Sequence, residues 1–319
     1  MAFEVGGWGD GEGAGVILEE IRMYEDQPSS LVMDRLNEKL WPGSSLGLPI
    51  TGSEASVSGL KRGALLEFWR RHYHPGNLNV ALAGSFDPVR AQGLIARRLR
   101  GKFPGAQPGR FMRVRRREGR QMGLLAIPRP VQQASVALGV RGYARRDPKR
   151  FAEKVLSVIL GENMSSRLFQ VLRERHGLAY SVQSSIQHFH DQGAFYLQMG
   201  VDVPKLGAAL RLTGKELRRI QEKEPSPAEL VRAKDFLIGQ MKLGMESTSN
   251  RMMWLGESMI GFGRIQDLDE VKGAIASVTA EQVSAVAREL FVPGRMVLAC
   301  VGPEVGEVGL GKHAGGLMG

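Results

Sequence analysis

The sequence predicts an α+β fold built from two related α/β units, the first incomplete at its N-terminus. Three observations carry this. Helical and strand patterns come in runs rather than in strict alternation, as α+β chains show. One stretch of the chain recurs at a constant offset. And the counterpart of the second unit's start would fall ahead of residue 1.

The repeat sets "LKRGALLEFWRRHYHPGNLNVALAG" (60–84) against "VTAEQVSAVARELFVPGRMVLACVG" (278–302) without a gap. Leu60, Leu65, Phe68, Tyr73, Pro75, Gly76, Leu78, Val80 and Gly84 face Val278, Val283, Val286, Phe291, Pro293, Gly294, Met296, Leu298 and Gly302. The offset is 218 throughout, as Pro293 against Pro75 and Gly302 against Gly84 show. Each copy reads as helix, Pro-Gly turn, buried strand and Gly stop. Gapless agreement at nine positions favours duplication over convergence. With the second unit starting near residue 120, the first is expected to lack roughly its first hundred residues. A fragment, a misassigned start codon or a split gene would each produce this.

The expected organisation is then the C-terminal half of a first unit at 1–105, a basic Gly/Pro linker at 106–120, a second unit at 121–303 and a flexible Gly-rich tail at 304–319. Apolar periodicity predicts helices over 16–26, 29–40, 60–72, 88–100, 148–160, 166–175, 205–222, 227–245, 249–262 and 280–291. Strands are predicted over 78–84, 122–127, 134–140, 179–188, 194–201 and 296–302. Asp87-Pro88 and Asp147-Pro148 each place a capping Asp before a Pro at the first helical position. "SPAE" (226–229) and "TAEQ" (279–282) read as capping boxes. "GKFPGAQPGRFMRVRRREGR" (101–120) has Gly, Pro and Arg without apolar periodicity, which makes it the linker.

Composition narrows the classes. The 319 residues are 43% hydrophobic and 24% charged, as in soluble globular chains. No apolar run approaches the ~20 residues a membrane span needs. The opening "MAFEVGGWGDGEGAG" has neither the basic nor the apolar region of a signal peptide, so a cytoplasmic location is expected. One cysteine, Cys300, excludes an intramolecular disulfide and a multi-Cys zinc site. The net charge of +10 peaks at "RVRRREGR" (113–120), without aromatic interleaving or a nucleic-acid-binding motif. It reads as a solvated linker, and no nucleic acid or membrane partner is expected.

"LRERHGLAYSV" (172–182) holds Arg173 and Tyr180 seven residues apart, across a helix end and a Gly. With "GVILEEIRMYEDQP", "FWRRHYHPGNLNVALAGSFDP", "ILGENMSSRLFQVLRERHGLAYSV" and the final "VPGRMVLACVGP", it resembles the insulinase/pitrilysin family of zinc metallopeptidases over about residues 15–303. The resemblance implies two homologous α+β domains. It also implies that Arg173 and Tyr180 reach a peptide substrate, Arg through planar donors and Tyr through a hydrogen bond to the forming oxyanion. In the family an inverted H-x-x-E-H motif supplies two zinc ligands and the general base, and a later Glu supplies the third ligand. "VILEEI" matches the segment of that Glu, which makes Glu20 its counterpart, an orphan third ligand. Gly13 stands where the family often has a further Glu. The motif itself is absent. The six histidines, His72, His74, His176, His188, His190 and His313, include no pair four apart. His188 and His190 on one strand face could hold a metal, against the default of solvent-facing imidazoles. Glu20 read by itself is a solvated carboxylate beside Glu19.

The expected function is therefore that of a peptide-acting relative of these zinc endopeptidases. The chain is expected to be inactive alone, to bind no zinc by itself, and to retain the Arg173/Tyr180 substrate pair. Two alternatives stand beside it: a natural non-catalytic subunit whose partner chain bears the zinc, and a structural scaffold.

Overall fold

The computed structural model describes residues 12–101, 112–114, 122–303 and 306–318. In chain order the helices are α1 (Glu12–Asp26), α2 (Pro28–Leu40), α3 (Glu54–Ser58), α4 (Arg62–His72), α5 (Pro88–Leu99), α6 (Arg150–Leu160), α7 (Leu206–Glu222), α8 (Pro227–Gly244), α9 (Thr248–Phe262), α10 (Leu268–Ala276), α11 (Ala280–Leu290) and α12 (Glu307–Met318). The strands are β1 (Gly123–Pro128), β2 (Ala134–Gly142), β3 (Ala179–His188), β4 (Gly193–Val201) and β5 (Met296–Gly302), and a π-helix runs over Phe169–Arg175. The class is α+β with one mixed sheet. Three of the expected caps close as the sequence indicates. Asp87 accepts from the backbone of Val89 and Arg90, and Ser226/Glu229 and Thr279/Gln282 form reciprocal boxes. Asp147 accepts from the backbone of Lys149, one residue ahead of α6.

The sheet order is β1-β5-β2-β4-β3, with β1 parallel to β5 and the other pairs antiparallel. Because strand side chains alternate, each strand offers two faces. Val136, Leu138 and Val140, with Leu197, Met199, Leu298 and Cys300 in register, point toward α6 and α11. Phe195 meets Phe291 edge-on there, with centroids 5.3 Å apart. Ala137, Tyr196, Val297, Ala299 and Val301 point the other way and are covered by α2, through Leu31, Val32, Leu36, Leu40 and Trp41. Polar bonds fix the helix in place. Tyr196 OH donates to Asn37 Oδ1 at 2.7 Å, Gln198 Nε2 donates to the Ser29 carbonyl at 2.8 Å, and Arg141 donates twice to the Leu40 carbonyl.

Contacts divide the chain into two compact units. One comprises Met1–Ile21, Thr51–Arg113 and Met241–Asp267; the other comprises Arg22–Ile50, Val114–Gln240 and Leu268–Gly319. They do not follow the expected division at 105/121. A sheet buried on both faces needs a second cover, and α2 provides it from a stretch the sequence assigns to the first unit. Most of the expected linker lies outside the described residues. Within 112–114, the Val114 amide donates to Asp191 Oδ2 at 3.0 Å.

The expected flexible tail is instead α12, packed along α7. Leu310, Ala314 and Leu317 are buried one helical turn apart. Glycine explains the difference. A Cβ on Gly214 of α7 would stand 2.6 Å from Leu317 Cα, and one on Gly316 would stand 3.1 Å from Arg211 Cβ. Glycines that read as disorder here allow two helix backbones to approach.

The expected strand at 78–84 is also not a strand. The chain there joins no ladder, and Val80 and Leu82 are 56% and 44% exposed. A strand needs a neighbour to take its N–H and C=O groups. α4 and α5 in the same unit bury no residue. No helix among the described residues is long and apolar enough to cross a membrane.

Candidate functional site

The segment carrying Arg173 and Tyr180 begins at an Asx turn, where the Ser165 amide donates to Asn163 Oδ1 at 2.9 Å. Leu168 and Leu172 are fully buried and anchor the following helix. From Phe169 to Arg175 that helix is π-wound, a form that recurs at functional positions. It ends where Gly177 adopts φ 55°, a left-handed value that glycine takes without strain. The Leu178 amide then returns to the Leu172 carbonyl at 2.7 Å and aims the chain into β3.

Arg173 leaves the last π-turn exposed, its guanidinium 5.1 Å from the Phe169 ring centroid. Tyr180 sits on a β-bulge. Ala179 pairs with Val201 and Ser181 with Gly200, so Tyr180 is the extra residue between them. A bulge re-aims a side chain. Here it leaves Tyr180 53% exposed while Ala179 and Val182 stay buried. Its hydroxyl donates to Asp202 Oδ2 at 3.1 Å. Lys205 Nζ stands 3.2 Å from the same oxygen and also donates to the Gly177 carbonyl at 3.2 Å. Arg173 and Tyr180 thus flank one Gly turn. The Tyr180 hydroxyl and Lys205 share one oxygen of Asp202. Such a hydroxyl can transfer its hydrogen bond to a stronger acceptor. Asp202 and Lys205 were not legible as partners. The bulge had a signal, because Tyr-Ser between Ala179 and Val182 breaks the in–out alternation.

The residues do not fit a zinc site. Glu20 is exposed on α1 beside exposed Glu19, and no group of three His, Cys, Asp or Glu among the described residues could hold a metal. Of the paired histidines, His190 is exposed as the solvent-facing default expects, whereas His72, His74 and His188 are partly or fully buried. His188 Nε2 lies 2.9 Å from Oε2 of Glu153, which is fully buried. Burial raises the Glu153 carboxyl above its ordinary value, and the His188 hydrogen bond opposes that rise. His190 lies beyond the end of β3, so the two do not share a strand face. His74 is 1% exposed, and His72 stacks on Phe68 at 4.3 Å.

A second polar cluster holds the N-terminal end of the Arg173 helix. Arg167 makes a bidentate pair with Glu229, Nε to Oε1 at 2.8 Å and Nη2 to Oε2 at 3.2 Å, the stronger geometry for such a pair. Burial alone would raise the Glu229 carboxyl, but hydrogen bonds from Arg167 and Ser226 outweigh it and bring it down to about 2.

The family model described as "Peptidase M16 inactive domain" matches residues 59–237. An "uncharacterized zinc protease" of Streptomyces coelicolor is 37% identical over 298 residues, 91% of this chain and 64% of that protein. Another of Mycobacterium tuberculosis is 36% identical over 299 residues, 90% of this chain and 66% of that protein. The chain thus spans just under two thirds of the length of these relatives. Among solved structures, a peptidase M16 inactive domain from Pseudomonas fluorescens superposes with a TM-score of 0.82 at 22% identity, over 92% of this chain and 70% of that one. A protease from Helicobacter pylori gives 0.81 at 19% identity, over 91% and 70%. At such identities the superpositions show the fold.

Proposed function

The chain belongs to the M16 peptidase family, and from that premise we propose that it supplies the peptide-binding part of an M16-type zinc metallopeptidase. The observation that carries this reading is the Tyr180 bulge. It presents a phenol beside an exposed Arg173 across one Gly turn, where none of the described residues forms a metal group. Arg173 offers planar donors to a peptide carbonyl. The Tyr180 hydrogen bond passes from Asp202 to the oxyanion forming on the bound peptide, and Lys205 remains as the Asp202 partner. Hydrolysis itself belongs to the zinc-bearing part, since no group among the described residues could hold a metal.

The reading includes two related units. The offset of 218 maps 241–267 onto 23–49, and these are the stretches that join the unit of the opposite repeat. Each repeat lends one helical stretch to the other. α4 and residues 78–84 are the counterparts of α11 and β5. α11 buries Val283, Val286, Ala287 and Leu290, and β5 is buried throughout. α4 buries nothing, and Phe68 is 58% exposed. A zinc-bearing segment folded like residues 121–222 would cover that apolar face. It would come from the same or a separate chain, in the cytoplasm.

The test is peptide binding by fluorescence anisotropy. Arg173→Ala should weaken affinity for an unstructured peptide about tenfold or more, the cost of a charged hydrogen bond. His176→Ala, exposed and without an assigned role, should not. Equal affinity of Arg173→Ala and the parent would refute the reading.

A further inference from the structure

One ammonium group joins the two halves of the candidate site. Lys205 Nζ donates to the Gly177 carbonyl at 3.2 Å and stands 3.2 Å from Asp202 Oδ2, the oxygen that accepts from Tyr180. The Gly177 amide donates in turn to the Arg173 carbonyl at 3.2 Å. These contacts run without a break from the Arg173 backbone through Gly177, Lys205 and Asp202 to the Tyr180 hydroxyl. Lys205 is the link between the turn and the bulge.

The two ends of this chain of contacts are anchored differently. Asp202 and Lys205 belong to one 3₁₀ turn, closed by the Lys205 amide on the Asp202 carbonyl at 2.9 Å. Val201 and Leu206 on either side of it are fully buried. The Gly177 turn lacks such anchors. Residues 173–177 are all exposed, Gly177 has a left-handed φ of 55°, and a Cβ built on it would meet nothing within 4 Å. Its amide bond to Arg173 is local, whereas its carbonyl bond reaches Lys205, 28 positions along the chain. A segment that must order on binding lowers affinity, and one already held in place spares that cost.

We propose that Lys205 is a positioning residue, which holds the Gly177 turn so that Arg173 and Tyr180 meet one bound peptide together. The proposal rests on the peptide-binding reading. In the ground state Lys205 acts through Arg173, whose guanidinium takes a peptide carbonyl. At the oxyanion it acts through Asp202, which it still pairs when the Tyr180 hydroxyl turns away. Lysine suits the task, because its three N–H donors let one ammonium serve a carbonyl and a carboxylate at once. Methionine at this position would keep an apolar stem and lose every donor.

The experiment compares Lys205→Met, Arg173→Ala and the double variant as whole chains, by fluorescence anisotropy with an unstructured peptide and by hydrogen exchange without it. In Lys205→Met the Gly177 and Leu178 amides should exchange several-fold faster. Its peptide affinity should fall about threefold to tenfold, the cost of ordering the turn on binding. In the Arg173→Ala background, Lys205→Met should change affinity by less than about twofold, because the group it positions is gone. Lys215→Met removes an exposed ammonium with no assigned role from the same unit and should match the parent. Parent-like exchange or parent-like affinity in Lys205→Met, with Arg173→Ala still weakened, would overturn the proposal and leave the peptide-binding reading standing. Additive losses from the two substitutions would also overturn it, since Lys205 would then touch the peptide itself. So would an equal loss in Lys215→Met, the mark of a general charge effect. Parent-like affinity in Arg173→Ala would refute the reading and the positioning role with it.

Discussion

Leu36 and Gly139 test whether α2 closes the sheet of the second unit. Leu36 is fully buried, and its Cδ2 stands 2.9 Å from where a Cβ on Gly139 would lie. Leu36→Ala removes the core contact and leaves a void, at a cost of about 2–5 kcal/mol. Gly139→Ala forces a methyl against Cδ2, Cγ and Cδ1 of Leu36, at 2.9, 3.2 and 3.4 Å. Such overpacking costs about 1–3 kcal/mol. In the double variant the clash is gone and the new methyl enters the void. Its destabilisation should fall short of the sum of the singles by about 1–3 kcal/mol. The assay is urea unfolding of the four proteins, read by hydrogen exchange into β2. Additivity within about 0.5 kcal/mol, or a Leu36→Ala cost under about 1 kcal/mol, would refute the packing of α2 on this sheet.

Limited proteolysis should nick the chain within 51–113, where α4 and α5 bury nothing, while the 22–50 fragment stays bound to the protected second unit. Early loss of 22–50 would contradict this. Glu229 is ionised in the folded chain down to about 2, against an ordinary 4.5, so its stabilisation is full above 4.5 and is lost as pH falls through about 2. Glu229→Gln should lose on the order of 3 kcal/mol at pH 7, and the deficit should shrink in acid; a pH-independent deficit would contradict the pairing. Glu153 is shifted the other way by burial, so its contribution is full below 4.5 and declines as pH rises through its raised folded value. Measured by urea unfolding, the parent should lose ground to Glu153→Gln as pH rises from the ordinary carboxylate range, and parallel curves would contradict this.

Much of the fold was legible because local chemistry and tertiary packing agree. Asp87, Ser226 and Thr279 cap the helices their sequences announce, and the apolar alternation of 134–140 and 194–201 gives β2 and β4 their two faces. Failures came where packing reinterprets a local signal. Glycines at 309–316 resemble a disordered tail, yet Gly316 and Gly214 let α12 and α7 touch. Residues 78–84 have the pattern of a strand, but no strand lies beside them among the described residues. α10 is nine residues long, too short to impose a period. At the site, the spacing of Arg173 and Tyr180 was readable, whereas Asp202 and Lys205 reach Tyr180 only through the bulge and the β3–β4 pairing.

The most direct test supplies this chain with the zinc-bearing N-terminal part of a full-length relative and measures hydrolysis of an unstructured peptide. The chain alone should be inactive, and the mixture active. Tyr180→Phe, which removes one hydroxyl and almost no volume, should then lower turnover on the order of 10²–10³-fold with little change in peptide affinity. If the mixture hydrolyses peptide and Tyr180→Phe matches the parent, the bulged tyrosine is packing rather than chemistry, and the proposed role of this chain is wrong.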